Sequence, residues 1–456
     1  MRLPSWLRRL AARSTLVPAP KRKRPAPCRL MLEVLEARDC PSSGGMLDPT
    51  FGSGGIVNLP TTTDLSARSV AVQPDGKVLI AGDSTMRNGS NVGSVQRLNP
   101  NGTLDTTFNG TGSVTIGGSN HSEAVALQPD GKILIGGSAL VKQGKTSGAE
   151  SMVARLNPDG TLDTTFGKNG LWVAAFPSGE VEDLAVLTDP AHPGTVTGIV
   201  AAVQGPPFEA IKLTPAGTPD KTFGSGGVAV FANINGRSMS VAVDPLSGEI
   251  YLAGNASSPN ATGGILAALT PTGALDTTFG GGAGYVLASP SGTPETDFYD
   301  VAVQTLPVNG QLVSRLIVAG ETWIQPPGSG FVAAYTLGGA LDTTFGIGGS
   351  FTLAGVAGGT RPAFNSLAVE ADGSIVVGGG QFYEDGRTEM LVGHLTAGGV
   401  ADTSFGPDGT GFTVVQDGTQ SFVRRLAIDP INGDILACGD ERDVSPHAAI
   451  IQLTAP

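Results

Sequence analysis

Short runs of alternating apolar and polar residues fill this chain, and Gly, Pro, Asp or Asn closes each run. Residues 123–128, Glu-Ala-Val-Ala-Leu-Gln, have the period of two that puts one strand face in a core and the other outside it. Pro129-Asp130-Gly131-Lys132 follows as a turn: Pro presets φ, Asp bonds nearby backbone, and Gly accepts positive φ. Residues 133–137 are apolar on both faces and predict a central return strand. Residues 151–156 predict a third strand and the short β-rich run 112–116 another, so one unit carries four strands. Amphipathic segments of helical period are absent, which excludes an α/β fold.

The unit recurs. Asp-x-x-Phe appears at Asp48/Phe51, Asp105/Phe108, Asp163/Phe166, Asp220/Phe223, Asp276/Phe279, Asp342/Phe345 and Asp402/Phe405, spaced by 57, 58, 57, 56, 66 and 60 residues. Four strands in such a unit are too many for one coil of a β-solenoid, and a parallel β-helix is the alternative set aside. The expectation is an all-β fold, a seven-bladed β-propeller of four-stranded antiparallel blades. The phase of the repeat adds a closure. One strand, residues 55–59, opens the series, and three, residues 423–428, 434–437 and 449–453, end it. Joining them in one blade would leave no exposed edge. The expected domains are a basic segment, 1–43, and a seven-repeat propeller, 44–456.

The phrases Asp-x-x-Phe-Gly, Val-Ala-x-Gln-Pro-Asp-Gly-Lys-x-Leu-Ile-x-Gly and Arg-Leu-Asn-Pro-Asp-Gly-Thr-Leu-Asp resemble the bacterial delta-60 repeat, a β-propeller repeat. The match is close around Gln73-Pro74-Asp75-Gly76-Lys77 and Gln128-Pro129-Asp130-Gly131-Lys132 and loose elsewhere. Units three and five lengthen the inner hairpin, through residues 188–197 and 306–314, and unit four replaces the turn with Leu246-Ser247-Gly248. The resemblance implies the fold and carries no activity. Residues 32–42, Leu-Glu-Val-Leu-Glu-Ala-Arg-Asp-Cys-Pro-Ser, resemble the segment ahead of surface or secreted repeat proteins of planctomycete bacteria, which implies export to the cell surface or medium.

Charge sharpens this division. Ten Lys/Arg against three Asp/Glu give residues 1–43 a balance of +7, so with −12 overall the remainder carries −19. An acidic body repels phosphate backbones, and nucleic acid is not an expected partner. Gly and Pro make up 67 and 32 of the 456 residues and fall at regular turn positions, so they mark turns and not disorder. Three cysteines build no disulfide framework: Cys28 and Cys40 lie in the basic segment, and Cys438 sits in an apolar run as a small buried side chain. No apolar run is long enough for a transmembrane helix.

The chemistry-bearing residues are scattered. The repeated Asp is spread round a ring, so its reading is structural, an Asx-type turn beside a Phe that packs between blades. Gly52-Ser53-Gly54-Gly55 and Gly280-Gly281-Gly282-Ala283-Gly284 precede no helix and read as turns and not phosphate loops. His121, His192, His394 and His447 share no metal-ligand spacing. His394 reads as structural, while His121 and His447 fall in loops of one face and form a candidate pair. No catalytic residue and no metal ligand is assigned. Acids cluster at Glu295/Asp297/Asp300, Glu384/Asp385 and Asp440/Glu441/Asp443 and read as solvated loop charge. Calcium is the candidate cofactor wherever such oxygens converge.

The loops between second and third strands, residues 83–94, 138–150, 204–209, 255–264, 321–330, 381–389 and 440–447, vary where the other turns repeat. They gather Trp323, Phe382 and Tyr383, with Phe298 and Tyr299 in the adjoining loops. Variable loops on a rigid scaffold make binding faces. The candidate ligand-binding residues are Tyr299, Trp323, Phe382 and Tyr383. The expected function is an exported or cell-surface binding or scaffold module, monomeric, for a protein, peptide or carbohydrate. The alternatives are a metal-dependent propeller enzyme of the lyase or hydrolase type and a structural surface-layer component.

Overall fold

The computed structural model describes residues 44–59, 66–86, 89–143, 146–175, 179–231, 234–258, 261–288, 296–322, 328–418, 420–441 and 447–456. The segment 1–43 therefore lies outside the described residues, as do Trp323, Glu295 and Asp443. Among the described residues the structure is all-β, with two single 3-10 turns at Phe108–Gly110 and Phe279–Gly282 as its only helical elements.

The strands pair antiparallel in chain order. One sheet runs Ser66–Val72, Val78–Thr85, Asn91–Leu98, Ser113–Thr115, from inner strand to outer. The same order recurs from the inner strands His121–Leu127, Glu180–Asp189, Asn235–Val243, Thr296–Val308 and Arg361–Val369. The units that start at Glu180 and Asn235 form one eight-stranded sheet, joined only through the pair Gln204 and Arg237. The last inner strand, Ser421–Ile428, leads to Ile435–Glu441 and His447–Leu453, and the fourth strand of that sheet is the chain's first, Ile56–Asn58, with Ile56 opposite Ile451. Each inner strand packs against the next, and Ser421–Ile428 packs against Ser66–Val72.

The core lies between sheets. All seven repeated Phe side chains, from Phe51 to Phe405, are fully buried. Phe108, for instance, sits among Leu79, Ile133, Ile135 and Met152. Burial of such a ring stabilises by about 1.5–3 kcal/mol. The turn glycine of the next unit makes room for it: a Cβ on Gly160, itself at φ +88°, would lie 2.8 Å from the Phe108 ring.

The repeated Asp does what the turn chemistry predicts and more. Thr107 donates its backbone N–H (3.1 Å) and its hydroxyl (2.6 Å) to Asp105 Oδ1. Asp105 Oδ2 meets Arg97 Nε at 2.8 Å and Lys77 Nζ at 3.1 Å, and the Arg97 guanidinium stacks 4.6 Å over the Phe108 ring. Arg155, Asp163 and Phe166 repeat this geometry. The third-strand position whose carbonyl accepts the Asp N–H is Arg97, Arg155, Lys212, Ala268, Ala334, His394 and Gln452 in turn. At Asp342 the missing cation is replaced by Arg315 from the neighbouring strand, at 2.8 Å.

Several boundaries move. The hairpin of unit two is longer than its first apolar run, Ile133–Gln143 and Thr146–Leu156, because the ladder continues through residues 138–143. The lengthened hairpins of units three and five stay in β structure, and the latter closes on Asn309 (φ +52°) and Gly310 (φ +80°).

Candidate functional site

Every inner strand carries a β-bulge at the same place. The pairing with its neighbour skips one residue between Ala67 and Ser69, Ser122 and Ala124, Val181 and Asp183, Ser238 and Ser240, Phe298 and Asp300, Phe364 and Ser366, and Val423 and Arg425. A bulge breaks the alternation of faces and re-aims the extra residue. Those residues are Arg68, Glu123, Glu182, Met239, Tyr299, Asn365 and Arg424, and all seven line one cavity of about 240 Å³. From the second residue after each bulge the phrase is nearly constant, Val or Leu, Ala, then Val, Leu or Ile, whereas the bulged residue is Arg, Glu, Glu, Met, Tyr, Asn and Arg in turn.

The residue after each bulge ties one unit to the next. Ser69 Oγ accepts the Val125 N–H (3.2 Å), Asp183 Oδ2 that of Val241 (3.0 Å), Ser240 Oγ that of Val301 (3.3 Å), Asp300 Oδ2 that of Leu367 (2.8 Å) and Ser366 Oγ that of Leu426 (3.3 Å). The two other positions are Ala124 and Arg425. Ala124 offers no acceptor, and the Leu184 N–H turns instead to Asp183 Oδ1 at 2.9 Å. Arg425 spans the space inside the inner strands: its guanidinium lies 3.3 Å from Asp300 Oδ2 and donates to the Glu182 and Met239 carbonyls. It forms the charged floor of the cavity. Burial opposes its charge, and Asp183 and Asp300 outweigh that, holding it above the ordinary arginine range.

The cavity wall is divided by charge. Arg424 and Arg68 come from consecutive inner strands, Glu123 and Glu182 from the next two, and Met239, Tyr299 and Asn365 complete the circuit. Arg68 meets Asp83 Oδ2 at 3.2 Å and Glu123 Oε2 at 3.7 Å, and Arg424 Nε meets Asp440 Oδ2 at 3.1 Å. Burial raises the Glu123 carboxyl, with Arg68 opposing. Glu182 is pushed up to about 7, first by burial and then by the charges of Glu123 and Glu180, and it accepts a hydrogen bond from the Gln204 amide. Two adjoining carboxylates thus share too little positive charge. Tyr299 donates its hydroxyl to Glu321 Oε1 at 2.7 Å, and burial followed by the Glu321 charge raises it.

Asp83, His121 and Glu123 hold ligand atoms within 4.8 Å of one another, a set that could take a metal ion. His121 Nδ1 lies 3.0 Å from Asp83 Oδ2, at ion-pair distance but outside hydrogen-bond angles. The Arg68 guanidinium already lies on both carboxylates of this group, 3.2 Å from Asp83 and 3.7 Å from Glu123.

Of the expected rim aromatics, Tyr299 belongs to a strand and not a loop, and it lines the cavity from its bulge. Phe298 is corrected outright: it is fully buried between sheets, 5.7 Å from the Phe331 ring. The bulge explains both, because it lets two successive aromatics face different environments. Phe382 ends a strand under the Arg361 guanidinium and lines a second cavity of about 370 Å³ that shares Asn365 and Phe422 with the first. Tyr383 is held by Arg387 over its ring (4.4 Å) and by Glu389 at 2.6 Å. Two acids expected in solvent are buried, Asp300 among the inner strands and Asp440 beside Arg424. His394 is structural as expected, its ring nitrogens each 2.9 Å from Glu370 and Asp402. The side chain of His447 lies outside the described residues, so the His121 pairing is not addressed. Burial pushes the Cys438 thiol up to about 12, which leaves it inert. Sequence reading missed Arg68, Glu123, Glu182 and Arg424; the signal available was a variable residue just ahead of a repeated apolar triplet.

Residues 73–108 and 128–166 match the model of the domain of unknown function (DUF5122) beta-propeller. No curated protein matches the chain. Among solved structures, Sqt1 of Chaetomium thermophilum bound to the N-terminus of the ribosomal protein L10 aligns at 13% identity and TM-score 0.39, over 83% of this chain and 84% of that one. A glucose dehydrogenase aligns at 13% and 0.39, over 87% and 99%. The alpha-L-arabinofuranosidase Arb93A of Fusarium graminearum, in complex with an iminosugar inhibitor, aligns at 11% and 0.42, over 89% and 98%. Likenesses this distant say nothing of ligand or chemistry. No helix among the described residues is long and apolar enough to cross a membrane. The matched segments and the all-β architecture support a β-propeller family for this chain.

Proposed function

We propose that the seven four-stranded units are the blades of a propeller closed by Ile56–Asn58 beside His447–Leu453, and that it is a binding module whose ligand enters the axial cavity. One observation carries the reading. The scaffold repeats, yet the seven residues that bulges aim into the cavity are chemically diverse. The adjoining cavity at Phe382 extends the same face, and Tyr383 lies in the loop that follows Phe382. The resemblance of residues 32–42 to an export-associated segment supports a secreted or surface location, and the module is taken as a monomer.

A metal-dependent enzyme is the second reading, favoured by the Asp83, His121 and Glu123 set. The Arg68 guanidinium on the same carboxylates weighs against it. Thermal melting of the full chain with a panel of sugars, short peptides, free amino acids and divalent ions tests the two. The binding reading expects a small organic ligand to raise the melting midpoint of the wild type and not of Met239→Trp, whose indole would fill the cavity. Stabilisation by a divalent ion alone would favour the enzyme, and ligands that stabilise both forms equally would remove the cavity from the account.

A further inference from the structure

The cavity is too small and too polarised for a general-purpose site. About 240 Å³ lies below the roughly 300–1,000 Å³ of pockets that hold drug-sized ligands. Round the wall, in the order of the inner strands, the guanidinium-bearing Arg424 and Arg68 are followed by Glu123 and Glu182, and the Arg425 floor reaches beneath to the Glu182 and Met239 carbonyls. Between them run Met239, Tyr299 and Phe422, apolar surfaces with one hydroxyl. Glu123 and Glu182 come from adjacent inner strands, and Glu180 adds a third acid next to them. Glu182 accepts its hydrogen bond from an amide, that of Gln204, and not from a cation. Glu123 has the Arg68 guanidinium at 3.7 Å, whereas among the described residues no cation lies at ion-pair distance from the Glu182 carboxyl.

Resting on the reading of this cavity as a ligand site, we propose that its ligand is a small zwitterion of the free amino-acid type. Its ammonium group sits between Glu123 and Glu182, and its carboxylate faces Arg424. An ammonium offers three donors and fits between two carboxylates; a carboxylate accepts the fork of an arginine. A side chain of moderate size covers Met239 and Phe422. Recognition by two opposed charged sectors selects against single ions, because a ligand with one charge leaves the other sector unserved. A divalent ion at Glu123 would instead have to displace Arg68, which already lies 3.7 Å from it.

Calorimetry on the full chain with three probes tests this: L-methionine, its methyl ester, which keeps only the positive charge, and N-acetyl-L-methionine, which keeps only the negative one. Methionine should bind, and each single-charge analogue should bind about tenfold or more weakly, the scale of one lost charge-assisted hydrogen bond. Glu182→Gln should weaken methionine and the ester but spare the acetyl form. Arg424→Gln should weaken methionine and the acetyl form but spare the ester. Circular dichroism checks that both variants fold. Failure of methionine to bind, or equal binding of all three probes, overturns the zwitterion. If a probe binds but neither these substitutions nor Met239→Trp alters it, the ligand lies elsewhere and the cavity reading falls as well. Displacement of methionine by calcium or zinc ions would reassign the acidic sector to a metal.

Discussion

At the scale of single residues, one cation separates a turn from a buried ion pair. Asp163 serves a turn through Thr165 and also holds Arg155, whereas Asp276 serves its turn through Thr278 with Ala268 where the arginine would be. Asp163→Ala should therefore cost about 1–3 kcal/mol, because it strands a charged donor, and Asp276→Ala about 0.5–2 kcal/mol, the loss of a capping oxygen. Phe166→Ala should cost about 3–5 kcal/mol through the void between sheets. Urea denaturation of the three variants checks the order. Unit six replaces the arginine with His394, whose pKa lies above its ordinary 6.5: burial works against the charge, and the bonds to Glu370 and Asp402 outweigh it. A raised folded pKa contributes stability that is complete below 6.5 and is lost as pH rises through the folded value. His394→Gln should flatten that fall in a melting series from acid to mildly alkaline pH. The Asp and Phe roles were legible because they recur at fixed spacing. The cation was not, since it lies eight residues upstream in another strand and changes identity in most units.

At the scale of elements, the inner strand does two jobs with neighbouring residues. Its bulge sends one side chain to the cavity and the next into the belt between units. Asp300 joins its own unit to three others, since it takes the Ser240 hydroxyl, the Leu367 N–H and the Arg425 guanidinium. Asp300→Ala leaves that guanidinium buried without its closest carboxylate and should cost about 3–5 kcal/mol, against about 1–3 kcal/mol for Ser240→Ala. Glu182 supplies a second pH signature. Its carboxyl shifts from an ordinary 4.5 to about 7 on folding, so stability falls as pH rises through that window. Glu182→Gln should abolish this slope and be the more stable form by about 2 kcal/mol at pH 8. The strands themselves were readable from alternation and turn chemistry. Bulges were not, because a skipped residue is invisible to a period of two, and this is why Phe298 and Tyr299 were placed together in a loop when they face a core and a cavity.

At the scale of the whole molecule, the first described strand, Ile56–Asn58, completes the sheet of the last three. Removing residues 44–59 deletes Phe51, Ile56 and Val57 from two sheet contacts. One buried ring and two half-buried aliphatic side chains are worth about 3–6 kcal/mol, so the melting midpoint should fall by about 3–7 °C, while removal of residues 1–43 should leave it unchanged. Equal midpoints would contradict a ring closed through Ile56–Asn58. The period of the repeat made the architecture legible at this scale. It left the site hidden, because a cavity assembled from seven distant residues has no local signature. The most direct test of the account is a crystal structure of the full chain grown with the ligand that stabilises it most. The account predicts density inside the ring of Arg68, Glu123, Glu182, Met239, Tyr299, Asn365 and Arg424. Density confined to the turns at Asp75, Asp130 and Asp372, or to the outer edges of the sheets, would contradict it.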